Sequence, residues 1–281
     1  MRRRHPLYGP RTASRHPGPP RRSRFARFLA GLAIALSAGV AVAADSSPAA
    51  WFPLEPGHVA RYQTHRDRML ERPGTTVDRQ FYHGTSIATV LATTALDAGR
   101  IQLRWTHSER EANLTSAVTQ RGEEIQSYSV QGGRVLLHGH VWPGVAERRI
   151  TYDPPRTVLR GPLEPGRRWK VGVLREGGLA IDAKAEVLAR ESVTIAGQVH
   201  PGAIHVQLSG AVTGALEFED VRYTVREGEY RQDLWLARGV GPLREVVAID
   251  LRAEDADGES LRLSDVVRRT LRPAAERAAL P

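Results

Sequence analysis

From Trp51 onward, apolar and polar residues alternate with a period of two, and this pattern constrains the fold more than any other feature of the chain. In one segment Ile101, Leu103 and Trp105 share a face, and residues 204–208 follow the same pattern. Such alternation is typical of antiparallel strands with one buried and one solvated face. It predicts an all-β fold with roughly a dozen strands.

Frequent turn signals separate these segments and favour a sandwich or a barrel. They are Gly132-Gly133, Glu176-Gly177-Gly178, Pro201-Gly202, Glu227-Gly228 and Asp257-Gly258. A change in the parity of the apolar residues at Glu219-Asp220 predicts a β-bulge within one strand. Residues 264–280 carry a helical pattern that Pro273 interrupts, so we expect a short helix or a disordered tail over 265–281.

An internal repeat suggests two similar halves. The sequence P-L-E-P-G occurs at residues 53–57 and again at 162–166, and an aromatic-bearing strand follows each copy, with Tyr62 in the first and Trp169 in the second. The repeat predicts β-rich halves at 44–158 and 159–264. The alternative is that the same turn chemistry occurs twice, since Pro and Gly favour such turns before strands.

The first 43 residues have the features of an export signal. They contain nine Arg, no Lys and no acidic residue, and an uncharged run over 28–44 includes the small-residue site Ala41-Val42-Ala43. This arrangement predicts a secretory signal peptide, and hence a periplasmic or secreted protein without a stable membrane span after cleavage. A retained anchor is the alternative, and Arg21-Arg22 partly resembles a twin-arginine signal.

Charge and cysteine content exclude several function classes. Removing the nine leader arginines from the 40 basic residues leaves 31, against 31 acidic residues, so we expect no nucleic-acid partner. The chain has no cysteine, which excludes disulfides, thiolate metal sites, cysteine nucleophiles and a lipidated cysteine. It also lacks G-x-S-x-G, H-E-x-x-H and phosphate-binding glycine motifs, so no catalytic residue and no cofactor is assigned.

His138 and His140 are the candidate metal ligands. Residues two apart on a regular strand face the same side, so the two imidazoles could bind one metal ion. The candidates for a further ligand are His83, Glu147, Asp153, His200 and His205. The alternative is a pair of exposed histidines. The paired acids Glu123-Glu124, Glu217/Glu219 and Asp255/Asp257 are interpreted as solvated strand edges and turns.

Three segments together resemble exported bacterial β-rich proteins of unknown function. They are W-F-P-L-E-P-G at 51–57, E-S-V-T-I-A-G at 191–197 and W-L-A-R-G-V-G-P-L at 235–243. The fold of those families is similar to the open half-barrel of lipoprotein-carrier proteins. The resemblance therefore implies a curved antiparallel sheet or open half-barrel, and it transfers no catalytic residue. The lipidated cysteine usual in these families is missing here.

These observations favour an exported, non-enzymatic envelope protein that binds a lipid or another hydrophobic small molecule, or an envelope protein partner. Its five tryptophans would form core packing or line an apolar cavity. One alternative is an assembly protein without a ligand, whose exposed edge strands pair with another component. Another is a hydrolase that uses a serine, or a metal held by His138 and His140. No ligand-binding residue is assigned.

Overall fold

The computed structural model describes residues 47–52, 54–72, 77–91, 99–112, 119–143 and 148–273. This part of the chain forms a short 3-10 helix, Pro48–Ala50, and twelve strands, which confirms the all-β prediction. The strands are β1 Val59–Glu71, β2 Asp78–Leu91, β3 Ile101–Glu111, β4 Thr119–Gln131, β5 Arg134–Trp142, β6 Arg148–Arg160, β7 Arg168–Glu176, β8 Leu179–Ile195, β9 Gln198–Phe218, β10 Val221–Ala237, β11 Gly241–Glu254 and β12 Ser260–Leu271.

The export signal expected over residues 1–43 lies outside the described residues. Within the ranges given above, no helix is long and apolar enough to cross a membrane.

All twelve strands belong to one antiparallel sheet in the order β6-β5-β4-β3-β2-β1-β12-β11-β10-β9-β8-β7. Strands β1–β6 and β7–β12 are each a six-stranded meander, and the β1–β12 ladder joins them. The sheet curls until its two outermost strands, β6 and β7, contact each other. The result is a barrel with one seam, which confirms the curved antiparallel sheet. The expected boundary at residue 158 falls near the end of β6, and both halves share the single sheet.

The glycines that end the two P-L-E-P-G copies have the same backbone geometry. Gly57 donates its N–H to the carbonyl of Val90 at 2.8 Å, and Gly166 donates to Val187 at the same distance. The φ angles of the two glycines are 85° and 84°, in the region that residues with a side chain rarely adopt. The sequence repeat is therefore also a repeat of backbone structure at the start of each meander.

The apolar face that the alternation predicted lines the interior of the barrel. Leu103 and Trp105 are each 1% exposed, and the apolar residues of segment 204–208 are fully buried as well. At one end of the barrel the N-terminal segment 47–52, which we call the plug, closes the interior. Phe52 is fully buried there, and its ring lies 5.2 Å from that of Tyr128.

The three segments that carry the family resemblance meet at this closed end. Gly239, in the turn between β10 and β11, donates its N–H to the carbonyl of Ala50 at 2.7 Å. On the outer face, the indole N–H of Trp235 donates to Glu191 at 2.7 Å. These contacts give the three segments a structural role, which is to fix the N-terminal plug and the neighbouring strand ends.

Three local predictions are wrong. Glu219 and Asp220 have φ angles of 50° and 66° and form a two-residue hairpin turn between β9 and β10, where a β-bulge was expected. Pro201-Gly202 and Glu227-Gly228 were interpreted as turns but lie inside β9 and β10. Both dipeptides lie beside register shifts. The glycine of each one allows the irregular pairing at that point of a long strand.

The predicted C-terminal tail begins too early. Residues 265–271 belong to β12, where Val267 and Leu271 are buried. The strand pattern was missed because two positions on its buried face carry charges, Asp265 and Arg269, instead of apolar side chains. Residues 274–281 lie outside the described part of the chain.

We expect the Trp105→Ala substitution to lower the free energy of unfolding by about 3–5 kcal/mol, because it empties a buried volume against the ring of Tyr62. Urea denaturation followed by circular dichroism measures this loss. Val199→Ala is the control, since Val199 is 58% exposed and its change should stay within about 0.5 kcal/mol. Equal effects of the two substitutions would contradict the described core.

Candidate functional site

The barrel interior is not purely apolar. Charged side chains of both signs alternate with buried apolar residues on the inner face: Arg66, Arg68, Glu109, Glu124, Glu176, Glu245, Asp265 and Arg269. A charge removed from water is costly unless it is paired or hydrogen-bonded, so the partners of these groups show which of them are structural.

Two buried ion pairs satisfy the charges near the junction of the two meanders. The Arg66 guanidinium on β1 binds the Asp265 carboxylate on β12, with an Nε–Oδ1 distance of 2.9 Å. Burial lowers the pKa of Arg66, but the Asp265 carboxylate outweighs this effect and raises it. Arg269 donates to Glu245 at 2.7 Å, and Gln232 donates to the other oxygen of the same carboxylate at 2.6 Å. These contacts link strands β1, β10, β11 and β12 inside the barrel.

Strands β6 and β7 are the two ends of the described sheet, so no backbone ladder joins them there. Side chains hold this seam together. Four hydrogen bonds between a side chain and a backbone group cross it. They run from Arg156 Nε to Val173 O at 2.9 Å, from Trp169 Nε1 to Thr157 O at 3.0 Å, from the Arg175 N–H to the Tyr152 hydroxyl at 3.1 Å, and from that hydroxyl to the Arg175 carbonyl at 3.4 Å.

A buried polar group lies directly behind this seam, at the end of the barrel opposite to the plug. We call it the seam cluster and define it as Glu124, His140, Arg148, Tyr152 and Glu176, on strands β4 to β7. His140 Nδ1 and Glu124 Oε1 are 2.5 Å apart, and the His140 ring meets the Tyr152 ring edge-on at 5.6 Å. Arg148 interacts electrostatically with both Glu124 and Glu176.

A β-bulge in β5 separates the two candidate metal ligands. Tyr128 of β4 pairs with Leu137 and Ser127 pairs with Gly139, so His138 is the extra residue. The side chain of His138 reaches Ser129 at 2.8 Å, whereas His140 turns inward to Glu124. Gly139 permits this geometry, because a Cβ there would overlap the carbonyl oxygen of Ile150. The expectation that both imidazoles share one face is therefore wrong.

The other proposed ligands do not join His140. His205 stacks on Trp235 at 4.2 Å on the outer face and hydrogen-bonds Asp233 at 2.8 Å. His83 is exposed and contacts His65, and Asp153 is exposed on β6. Glu147 lies outside the described residues, within which no group of three or more His, Cys, Asp or Glu side chains could hold a metal ion.

The buried polar atoms that lack a hydrogen-bond partner among the described residues include three on the carboxyl and imidazole groups of the seam cluster: Glu124 Oε2, His140 Nε2 and Glu176 Oε1. Their residues are only 1%, 2% and 6% exposed. Buried polar atoms are paired in nearly all native proteins, so unpaired ones require an explanation. Three in one place leave a set of hydrogen-bonding positions that a bound molecule could fill.

Glu176 has a strongly perturbed acidity. Burial raises the pKa of Glu176 well above its ordinary value, the neighbouring Glu124 raises it further, and Arg148 opposes both effects. These surroundings favour the neutral form of the Glu176 carboxyl group. Burial likewise raises the pKa of the Tyr152 phenol to about 12, so Tyr152 keeps its proton. The cluster thus combines a neutral acid with the Glu124–His140 pair.

A small internal cavity of about 10 Å³ adjoins His140. This is the space of about one water molecule. Its lining combines polar and apolar side chains: Gln126, Tyr128, Leu137, His140, Val158, Leu174, Leu208 and Gln232. The cavity therefore places one member of the seam cluster, His140, beside apolar residues of the interior.

Two site residues were missed in the sequence for a physical reason. Glu124 was interpreted as part of a solvated edge, and Glu176 as part of a turn signal, because buried carboxyls are rare and an acidic residue beside polar neighbours normally faces water. The available signal was their parity: Glu124 falls in step with buried Tyr128, and Glu176 with buried Leu174. The remaining paired acids, Glu217/Glu219 and Asp255/Asp257, lie at the surface as expected.

Comparison with known proteins gives no relative from which a role could be taken. No protein-family model matches the chain, and no curated protein matches it significantly. Similar solved structures include DynF of the dynemicin biosynthesis pathway of Micromonospora chersina, with 11% identity, a TM-score of 0.29 and coverage of 87% of this chain and 92% of that chain.

Two further solved structures resemble the chain to a similar degree. The S-type phycobiliprotein lyase CPES of Guillardia theta shows 8% identity, a TM-score of 0.30 and coverage of 81% of this chain and 94% of that chain. A mutant porin of Rh. blastica shows 8% identity, a TM-score of 0.24 and coverage of 76% and 100%. All these TM-scores are too low to support an argument about function.

The bulge predicts different consequences for the two histidines. His140→Ala should lower the free energy of unfolding by about 2–4 kcal/mol, because it removes one of the two hydrogen-bond partners of the buried Glu124 carboxyl and opens a cavity. His138→Ala removes one partly exposed hydrogen bond and should cost about 1 kcal/mol. Urea denaturation of both single variants measures the difference. A larger loss for His138→Ala than for His140→Ala would contradict the assignment of His140 to the interior.

The acidity of Glu176 predicts how stability depends on pH. The unfolded carboxyl ionises near pH 4.3, whereas the pKa of the folded one is raised, so its contribution to stability is present below pH 4.3 and is lost as pH rises towards the folded pKa. Glu176→Gln removes this loss. The difference in the free energy of unfolding between the variant and the unmodified chain should therefore grow, in favour of the variant, from about pH 4 to about pH 8. Urea midpoints across that interval give the comparison. Parallel curves would contradict a neutral Glu176.

Proposed function

We propose that the barrel binds a small molecule at the seam cluster, with an apolar body inside the barrel and a hydrogen-bonding end against Glu124, His140 and Glu176. The protein would act without chemistry of its own, in the periplasm or outside the cell. The leader of residues 1–43 supports that location, with its basic stretch, apolar run and small-residue cleavage site.

The observation that carries this proposal is the set of three unpartnered buried atoms, Glu124 Oε2, His140 Nε2 and Glu176 Oε1. A chain that needed the interior only for stability would gain by filling these positions with apolar groups. The neighbouring residues Leu137, Val158 and Leu174 are at most 3% exposed and offer an apolar wall to the rest of the molecule. Ligand sites generally combine such walls with few polar groups.

The seam supplies a route to the cluster. Parting β6 from β7 breaks four hydrogen bonds that involve side chains, whereas parting any other neighbouring pair would break a full ladder of backbone bonds. Each such bond contributes only about 1 kcal/mol net. The cavity of about 10 Å³ beside His140 would enlarge as the strands separate.

The same seam argues against an assembly role through strand pairing. The β6 edge carries Pro154 and Pro155, which have no N–H to donate, and the side chains of Arg156 and Trp169 occupy carbonyls on both edges. Such features protect an edge from pairing with another chain. The metal-dependent alternative loses its basis too, since His138 and His140 lie on opposite sides of the sheet.

Binding of N-phenyl-1-naphthylamine tests the proposal. This apolar probe has one N–H donor, and its fluorescence rises when it leaves water. We expect a saturable rise with the unmodified protein, and slower hydrogen exchange in β6 and β7 when the probe is bound. Absence of saturable binding, or protection confined to other strands, would overturn the proposal.

Stopped-flow measurements on a seam variant test the route. Arg156→Ala removes one bond across the seam, worth about 1 kcal/mol, and should raise the open population and the association rate about fivefold. Trp169→Phe removes another donor without changing charge and should act in the same direction. Arg262→Ala is the control, because it removes an exposed bond to Asp250 far from the seam. Equal rates in all variants would contradict entry between β6 and β7.

A further inference from the structure

Within the proposed ligand-binding function, on which this inference rests, we infer that the buried end of the ligand is an organic cation, a primary amine attached to an apolar chain. The balance of charge and of hydrogen-bond donors in the seam cluster identifies the class of molecule that would complete it.

The unpartnered atoms favour a donor on the ligand. A carboxylate only accepts hydrogen bonds, so Glu124 Oε2 requires a donor. If His140 donates from Nδ1 to Glu124, its free Nε2 is an acceptor as well. Glu176 Oε1 can accept a third bond. An ammonium group has three donors and no acceptor, which matches three acceptor atoms.

The charge balance points the same way. The two carboxyls of the cluster share one guanidinium, that of Arg148, while the nearby Arg66 is already bound to Asp265. A second cation between Glu124 and Glu176 would let both carboxyls ionise. A ligand carboxylate would instead approach Glu124 and add a like charge in an environment that screens charge poorly.

Ionisation of Glu176 gives the inference a measurable link to pH. The charged and titratable groups that face Glu176 from the surrounding strands are Arg66, Glu124, Arg148, Tyr152, Tyr230 and Asp265. Within this set the cations are already engaged, so a bound amine adds the charge that stabilises the Glu176 carboxylate. Binding then releases a proton, and the affinity for the amine rises with pH until the free protein itself ionises at Glu176.

Competition between three amphiphiles with the same chain tests the inference. Decylamine, decanol and decanoate are each titrated against bound N-phenyl-1-naphthylamine. We expect decylamine to displace the probe at about a tenfold lower concentration than decanol, and decanoate to be the weakest. An alkylamine stays charged below about pH 10, so its own titration does not disturb the comparison at lower pH.

The Glu176→Gln variant isolates the role of the carboxyl group. In the unmodified protein, decylamine affinity should rise from about pH 6 to about pH 8, and the variant should lose both this rise and most of the preference for the amine. In each protein the affinity for decanol should vary little between these pH values, because decanol carries no charge, and this serves as the matched control. Retention of the pH-dependent rise in the variant would overturn the assignment to Glu176.

The outcomes separate this inference from the function on which it rests. If decanol or decanoate competes as well as decylamine while the probe still binds, the cationic ligand is wrong and the binding site stands. If the probe does not bind to the unmodified protein, the proposed function fails and the inference fails with it.

Discussion

The barrel is closed between β6 and β7 by side chains, and the location of the buried polar cluster depends on this closure. Elsewhere each strand is fixed to its neighbours by a ladder, beginning with β1 and β12 at the centre of the sheet. At the seam, the Tyr152 hydroxyl accepts from the backbone of Arg175 on one side of the wall, while its ring contacts His140 on the other. The weakest part of the wall is therefore joined to the most polar part of the interior.

The interior charges fall into two groups with different consequences. Arg66 with Asp265, and Arg269 with Glu245, bind each other and join strands near the middle of the sheet, so they specify the register of the two meanders. Such pairs are weak contributors to net stability but costly to break. In the seam cluster, by contrast, one guanidinium, that of Arg148, interacts with two carboxyls, those of Glu124 and Glu176. The fold and the proposed site thus use the same residue types, as matched pairs in one case and as two carboxyls around one guanidinium in the other.

Much of the fold was predictable because alternation reports local backbone geometry. Segments such as 101–105 and 204–208 show it clearly, and the number of strands follows from counting them. Prediction failed where one extra residue changes the parity, at His138, and where the buried face carries charge, at Asp265 and Glu176. A charged residue is predicted to face solvent unless its partner is known. The partner of Asp265 is Arg66 on β1, far away along the chain. The candidate site was therefore largely hidden in the sequence.

Native mass spectrometry of the protein, purified from the envelope of its own host, tests the central claim most directly. The account predicts an added mass that survives gentle ionisation, disappears on denaturation and proves to be an amphiphile with a basic nitrogen. The Glu176→Gln variant purified in the same way should carry less of it. A bare chain mass for the unmodified protein, under conditions in which added decylamine also fails to bind, would contradict a ligand site behind the seam.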